Sequence, residues 1–104
     1  MNKLLIALLL FVSMNLMAQN PFEREIRAYE KQDSLSMPPK GQVLFFGSSS
    51  FRLWKSFDSD MKGMPASINR GFGVSTLADA LYYFDRMVVK YQPKWVIMYE
   101  GDND

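Results

Sequence analysis

Three turns in this sequence combine glycine with residue types that could carry out acyl transfer. The first is Gly47 followed by the serines 48–50, the second lies within residues 69–76, and the third is residues 101–104. A serine hydroxyl becomes a nucleophile once a base takes its proton. The glycine-containing turns expose backbone N–H groups, and Asn103 adds a neutral carboxamide that suits stabilisation of an oxyanion. Together these groups predict a serine-based site for an acyl substrate.

A short apolar segment precedes each turn and predicts a buried strand. The segments are Gln42–Phe46, Ala66–Asn69 and Trp95–Tyr99. Apolar runs of this length, bounded by turn residues, are typical of parallel strands, and we expect Trp95–Tyr99 to be covered on both faces. The carboxyl ends of parallel strands lie along one edge of a sheet, where α/β proteins bind their ligands. The three turns should therefore lie side by side.

Helical patterns lie between the strands and complete a β-α-β-α-β order. A short helix is predicted over Phe51–Phe57 and a longer one over Thr76–Lys90, with residues 58–65 as a loop between them. The inward side chains are predicted to be Leu53, Trp54 and Phe57 in the short helix and Leu77, Leu81, Phe84 and Val88 in the long one. Alternating strands and helices favour an α/β fold with a parallel sheet.

The chain of 104 residues has room for one domain after an N-terminal targeting segment. Residues 1–18 have the form of a signal peptide, with Lys3, the apolar run Leu4–Val12 and a cleavage site after Ala18. The alternative, a membrane helix, is disfavoured because polar residues such as Ser13 interrupt a run already shorter than the roughly 20 residues of a span. We expect a periplasmic or secreted protein with no membrane segment after cleavage.

The composition limits the partners and the chemistry. Removing Lys3 from the 12 Lys and Arg residues leaves as many basic as acidic residues, 11 of each. This balance gives no reason to expect nucleic acid or an anionic membrane as a partner. The sequence has no Cys, which excludes disulfides, thiolate nucleophiles and Cys-ligated metals. It also has no His, the residue that most often activates a serine.

Residues 19–41 are predicted to form an N-terminal helix and a linker. The helix is expected over Pro21–Asp33, with Asn20 as its cap and Pro21 at its first position. Residues 34–41 contain two adjacent prolines and are predicted to be the linker. The apolar stripe of the helix is expected to cover the sheet, and docking of a partner protein is the alternative.

From Gln42 to Asp104 the sequence resembles the SGNH (GDSL-like) hydrolases. Phe46-Gly47-Ser48-Ser49 is similar to the first family block, Phe-Gly-Asp-Ser, and this similarity implies Ser49 as the nucleophile. Residues 69–76 are similar to the second block, whose backbone N–H enters the oxyanion hole. Residues 101–104 match the third block, Gly-x-Asn-Asp, which implies Asn103 as the side-chain oxyanion donor. The resemblance further implies a flavodoxin-like three-layer α/β/α sandwich and no metal or cofactor.

Three departures from the family pattern affect the expected site. Ser48 stands where the family has Asp, and the usual glycine of the second block falls on Val74, so either Gly73 or Val74 could supply the backbone N–H. The fourth block, an Asp and a His, is absent, and we expect residues 42–104 to be part of a hydrolase domain that is a poor esterase alone. The base candidates that the sequence does contain are Lys55, Asp102 and Asp104.

Two other functions remain open from the sequence. The first is a module without catalysis that binds carbohydrate or a partner, with Trp54, Tyr82 and Tyr83 as contacts. The second is a nucleotide loop at residues 71–73, which lacks the third glycine and the acidic partner of that fingerprint. For the hydrolase we expect a small-molecule or glycan ester as substrate, and the sequence leaves the oligomeric state open.

Overall fold

A computed structural model describes residues 21–104, and within them the fold is mixed α/β around a three-stranded parallel sheet. The strands are β1 (Val43–Gly47), β2 (Ser67–Gly71) and β3 (Trp95–Tyr99), in the order β2-β1-β3. Both pairings are parallel and in step, so that Gly47 lies between Gly71 and Tyr99 at the carboxyl edge. The predicted parallel α/β arrangement is confirmed. The predicted signal peptide and the predicted Asn20 cap lie outside the described residues.

Four α-helices and a 3-10 helix accompany the sheet in residues 21–104. They are α1 (Glu23–Leu35), α2 (Ser49–Arg52), α3 (Phe57–Asp60), α4 (Leu77–Met87) and the 3-10 helix Val89–Tyr91. Helix α1 begins two residues later than predicted, with Phe22 at its N-cap position and no side-chain cap. Helix α4 begins with a capping box in which Thr76 and Asp79 satisfy each other's backbone N–H groups.

The main core lies on one face of the sheet, beneath α1 and α4. Leu44 and Phe46 of β1 point to this face, where they join Ile26 of α1 and Tyr83 of α4. Side chains alternate along a strand, and Phe45 accordingly points to the opposite face. There it makes edge contacts with the rings of three aromatic residues, Phe51, Trp54 and Phe57.

The single helix predicted over Phe51–Phe57 is wrong. Two one-turn helices replace it, with residues 53–56 between them: α2 ends at Arg52, and α3 begins at Phe57 and extends to Asp60, into the segment predicted as a loop. Trp54 and Phe57 pack against Phe45 as predicted, but Leu53 is 59% exposed. The Trp54 indole N–H donates to the Asp60 carboxylate at 2.7 Å, and this bond joins the end of α3 to the bend. Interrupting the helix lets both aromatic rings reach one strand residue.

The predicted buried face of the long helix is also wrong in part. Val88 is buried and Phe84 is partly buried, but Leu77 and Leu81 are 44% and 68% exposed. The buried residues of α4 are instead Ala80, Tyr83 and Met87. The helix carries apolar residues on more than one face, and the face with Ala80, Tyr83 and Met87 is the one that turns inward. Arg86, which lies beside the Tyr83 and Met87 face, bonds two glutamates of α1.

Strand β3 is exposed along its whole length, contrary to the prediction that both its faces are covered. Its five residues are between 40% and 65% exposed. Within residues 21–104, β1 pairs with one edge of β3 and no strand pairs with the other. Because the helices described here pack mainly over β1 and β2, the apolar character of β3 does not by itself produce burial.

Candidate active site at the carboxyl edge of the sheet

Backbone hydrogen bonds join the first turn to the second turn and to the end of β3 at the carboxyl edge of the sheet. The Phe72 N–H donates to the Gly47 carbonyl at 2.9 Å, which links the second turn to the first. The Ser48 N–H donates to the Tyr99 carbonyl at 3.1 Å, which links the first turn to the end of β3. Gly47 is required here because a Cβ at this position would lie 2.1 Å from the Tyr99 oxygen. The three strand ends are therefore fixed side by side.

The three serines of the first turn occupy different environments. Ser48 is fully buried, and its hydroxyl has no hydrogen-bond partner among the described residues. Ser49, the predicted nucleophile, is half-buried and is the first residue of α2, whereas Ser50 is exposed. A one-turn helix adds little dipole, but its first N–H groups have no partner within the helix. Of the three serines, Ser49 combines partial access to solvent with the first position of α2.

The second turn distinguishes the two predicted backbone donors. The Gly73 N–H donates to the Glu25 carboxylate of α1 at 3.0 Å. Val74 has no backbone hydrogen bond within residues 21–104, and its side chain is exposed. A Cβ on Gly73 would lie 2.2 Å from the Phe22 ring, so α1 packs directly on this residue. The Gly73 N–H is therefore bound by Glu25, whereas the Val74 N–H has no acceptor among residues 21–104.

The third turn is bound to the second through side chains. The Asn103 amide donates to the Ser75 carbonyl at 3.1 Å. The Ser75 hydroxyl donates in turn to the Glu100 carboxylate at 2.6 Å, and the Leu77 N–H donates to Asp104 at 3.0 Å. Asn103 thus lies against the turn that presents Val74. Its carboxamide would have to exchange the Ser75 carbonyl for a substrate oxygen in order to act as an oxyanion donor.

Glu100 is a site residue that the sequence analysis missed. It is half-buried behind Ser75, and one of its carboxylate oxygens is buried with no partner among the described residues. Burial raises the pKa of the Glu100 carboxyl, the hydrogen bond from Ser75 opposes this, and neighbouring carboxylates raise it further. The sequence did contain one indication of this residue. Glu100 is an acidic side chain placed directly between an apolar strand and a glycine.

The structure places the three base candidates from the sequence in three different environments. Asp104 accepts the N–H of Leu77 at the start of α4, and Asp102 accepts a long bond of 3.4 Å from the Asn103 amide. Lys55 is exposed and lines an open cleft of about 310 Å³ between α1 and the bend after α2. No hydrogen bond from these side chains to Ser49 is found in the described part of the chain.

The aromatic contacts proposed for a binding module do not form one surface. Tyr83 is 2% exposed and belongs to the core, so it is wrong as a ligand contact. Tyr82 is 66% exposed on α4, whereas Trp54 packs between Phe45 and Phe57 with its indole N–H bound to Asp60. A carbohydrate platform needs several exposed rings together, and the three residues named do not supply one.

Comparisons with family models, curated proteins and solved structures find no match to the chain. Residues 21–104 contain no group of three or more Asp and Glu side chains placed to hold a metal ion. Over the same residues, no helix has the length and apolar content needed to cross a bilayer.

Proposed function

We propose that residues 42–104 are the N-terminal part of an SGNH-type hydrolase domain with a flavodoxin-like α/β/α sandwich, and that the protein is an exported serine esterase. One observation carries the proposal: hydrogen bonds join the turn of Ser49, the turn of Val74 and the turn of Asn103 at one edge of a parallel sheet. These turns carry the groups that the resemblance assigns to acyl transfer: the serine hydroxyl, the backbone N–H and the Asn carboxamide. The proposed substrate is a small-molecule or glycan ester.

In the proposed reaction the Ser49 hydroxyl oxygen attacks the ester carbonyl carbon. The carbonyl electrons move to oxygen, and the oxyanion accepts hydrogen bonds from the N–H groups of Ser49 and Val74 and from the Asn103 carboxamide. Collapse of this intermediate breaks the ester C–O bond, and the alcohol leaves with a proton. Water then attacks the acyl-serine in the same geometry and releases the acid.

The proton of Ser49 needs a base that these residues do not include, since the sequence has no His. The proposal assigns this role to an imidazole supplied from outside the 104 residues. A serine without its base loses several orders of magnitude in rate. The chain by itself should therefore hold the nucleophile and the oxyanion donors but turn esters over poorly.

Imidazole added to the buffer provides a test, because it can replace the missing base. The full chain is incubated with a fluorophosphonate and imidazole, and covalent labelling is followed by intact mass. The serine oxygen forms a bond to phosphorus, the P–F bond breaks, fluoride leaves and imidazole takes the proton. We expect labelling that increases with imidazole and maps to Ser49.

Two serine variants serve as controls in this experiment. Ser50→Ala should be labelled like the wild type, because Ser50 is an exposed neighbour in the same turn, and Ser49→Ala should not be labelled. Equal labelling of the wild type and Ser49→Ala, or the same slow rate with and without imidazole, would contradict the esterase proposal. That result would favour a binding role for the same edge of the sheet.

A further inference from the structure

We propose that Glu25 of α1 is a positioning residue for the second turn and holds it so that the Val74 N–H faces the reacting oxygen. The inference rests on the proposed function, since it assigns a task to a residue outside the three turns. Helix α1 would then be part of the site's support as well as a cover for the sheet. Glu25 lies 48 residues before Gly73 in the chain, so nothing local in the sequence indicates the contact.

One carboxylate oxygen of Glu25 connects the second turn to α2, the helix that follows the first turn. It accepts the Gly73 N–H at 3.0 Å and lies 3.3 Å from a guanidinium nitrogen of Arg52. Arg52 is the last residue of α2, the helix that begins at Ser49. The same oxygen therefore connects the helix of the proposed nucleophile to the turn of the proposed backbone donor.

The packing around Gly73 makes this contact specific. The Phe22 ring lies so close that a Cβ on Gly73 would overlap it, and the same ring makes an edge contact with Phe72 at 5.4 Å between centroids. Gly73 has φ +49°, a left-handed conformation that is costly for other residues. Because a hydrogen bond to a charged acceptor is stronger than a neutral one, the Glu25 carboxylate stabilises this conformation.

The hydrogen bond between Gly73 and Glu25 also affects the next peptide unit, which carries the Val74 N–H. With the Gly73 N–H directed at Glu25, the following N–H, that of Val74, is left without an acceptor in residues 21–104. Oxyanion donors act only when they are held in place before the reaction. Loss of the Glu25 acceptor would free the Gly73 peptide to rotate, and the Val74 N–H would lose its fixed direction.

The experiment uses the full chain with three substitutions on α1. Glu25→Ala removes the acceptor, and Glu25→Gln keeps an oxygen that can accept the Gly73 N–H. Glu30→Ala is the matched control, since Glu30 lies on the same helix and bonds Arg86 of α4. Two readouts are taken: the Gly73 and Val74 amide signals in a ¹H–¹⁵N spectrum, and the rate of imidazole-dependent labelling of Ser49 by the fluorophosphonate.

We expect the Gly73 amide proton to move upfield and labelling to slow at least about 10-fold in Glu25→Ala, since a misplaced group of this kind commonly costs up to about 100-fold. Glu25→Gln should recover most of the rate, and Glu30→Ala should leave both readouts near wild type. A Glu25→Ala chain labelled at the wild-type rate would overturn the inference while leaving the proposed function intact. A wild-type chain without Ser49 labelling would instead refute the proposed function. In that case, unchanged Gly73 and Val74 signals in Glu25→Ala would also overturn the positioning role.

Discussion

Gly47 has no side chain, and this allows β1 and β3 to approach closely at the carboxyl edge of the sheet. A Cβ there would lie 2.1 Å from the Tyr99 carbonyl oxygen, and the Ser48 N–H donates to that same oxygen. Any larger residue would push β1 and β3 apart at the edge where the proposed nucleophile begins. The glycine of the first turn is therefore explained by the approach of a neighbouring strand.

Gly47→Ala should lower the free energy of unfolding by about 3 kcal/mol, since an added methyl group must displace backbone in a close-packed region. Urea denaturation measures the loss. Gly63→Ala is the control: Gly63 has φ +78° with no atom within 4 Å of a built Cβ, so only backbone strain of about 1 kcal/mol is expected. Equal losses in the two variants would show that the contact with Tyr99 is not what requires glycine at position 47.

At the scale of elements, ion pairs connect α1 to α2, β2 and α4. The far end of α1 carries Asp33, which is 6% exposed and pairs with Arg70 of β2 at 2.7 Å. The Tyr91 hydroxyl also donates to Asp33 and accepts from Arg70. The Arg70 guanidinium lies over the rings of Tyr29 and Tyr91. A buried charge at each end of this network requires that both remain paired.

Asp33→Ala should cost about 3–5 kcal/mol of stability, because it leaves the Arg70 charge buried without a partner. Arg27→Ala is the matched control on the same helix. Its ion pair with Glu23 is exposed, with the Arg27 side chain 76% accessible, and exposed pairs contribute about 0.5 kcal/mol or less. Chemical denaturation of both variants compares them. A loss in Asp33→Ala as small as that in Arg27→Ala would contradict a role for this network in stability.

The ion pairs between α1 and α4 should make the free energy of unfolding depend on pH in the acid range. Hydrogen bonds from Arg86 lower the pKa of Glu23 from 4.5 to about 2, and Arg86 lowers the pKa of Glu30 as well. Since the folded pKa lies below the unfolded one, the stabilisation is present above about pH 4.5 and is lost as the pH falls toward 2.

Denaturation at a series of pH values should therefore show stability falling through this window. In Arg86→Met the dependence should be shallower, because the main cause of both lowered pKa values is gone. Wild type and Arg86→Met with parallel pH curves would show that the ion pairs between α1 and α4 are not responsible.

At the scale of the whole molecule, the outer edges of the two outer strands, β2 and β3, differ in how well other residues cover them. Side chains occupy the free edge of β2: the Tyr29 hydroxyl donates to the Gly71 carbonyl at 2.5 Å, and the Asn69 side chain accepts the Gly71 N–H at 2.9 Å. Within residues 21–104 the outer edge of β3 has no such cover, and its apolar side chains are exposed. Bare apolar edge strands favour association with other chains.

Ile97→Lys should therefore reduce concentration-dependent association of the full chain, measured by light scattering. Ile97 is 44% exposed at the middle of β3, so a charge there should disfavour strand pairing at little cost to folding. Leu35→Lys is the control, since Leu35 is 83% exposed at the end of α1. Both substitutions replace an exposed apolar residue by lysine. Association that falls equally in both would point to general surface hydrophobicity rather than to β3.

The sequence predicted the parts of the fold that depend on local physics. The three strands, α1 and α4 follow from apolar periodicity, and the turns follow from glycine and serine at the strand ends. The wrong predictions concern which of several apolar side chains on a helix are buried, because tertiary packing determines this. Leu81 is predicted in the core and Tyr83 is a ligand contact in the alternative binding module, but Leu81 is exposed and α4 turns the Tyr83 face inward. Periodicity identifies a helix, and only its neighbours decide which of two apolar faces is buried.

By itself, the sequence determined the order of elements, the placing of the three turns on successive strands and the absence of a histidine, because these are properties of neighbours along the chain or of composition. Only the tertiary structure decided that the Gly73 N–H has an acceptor while the Val74 N–H has none within residues 21–104, since that acceptor, Glu25, lies on α1. It alone placed Glu100 behind Ser75 and left β3 exposed. These outcomes depend on distances between residues far apart in the chain, and no local pattern encodes such distances.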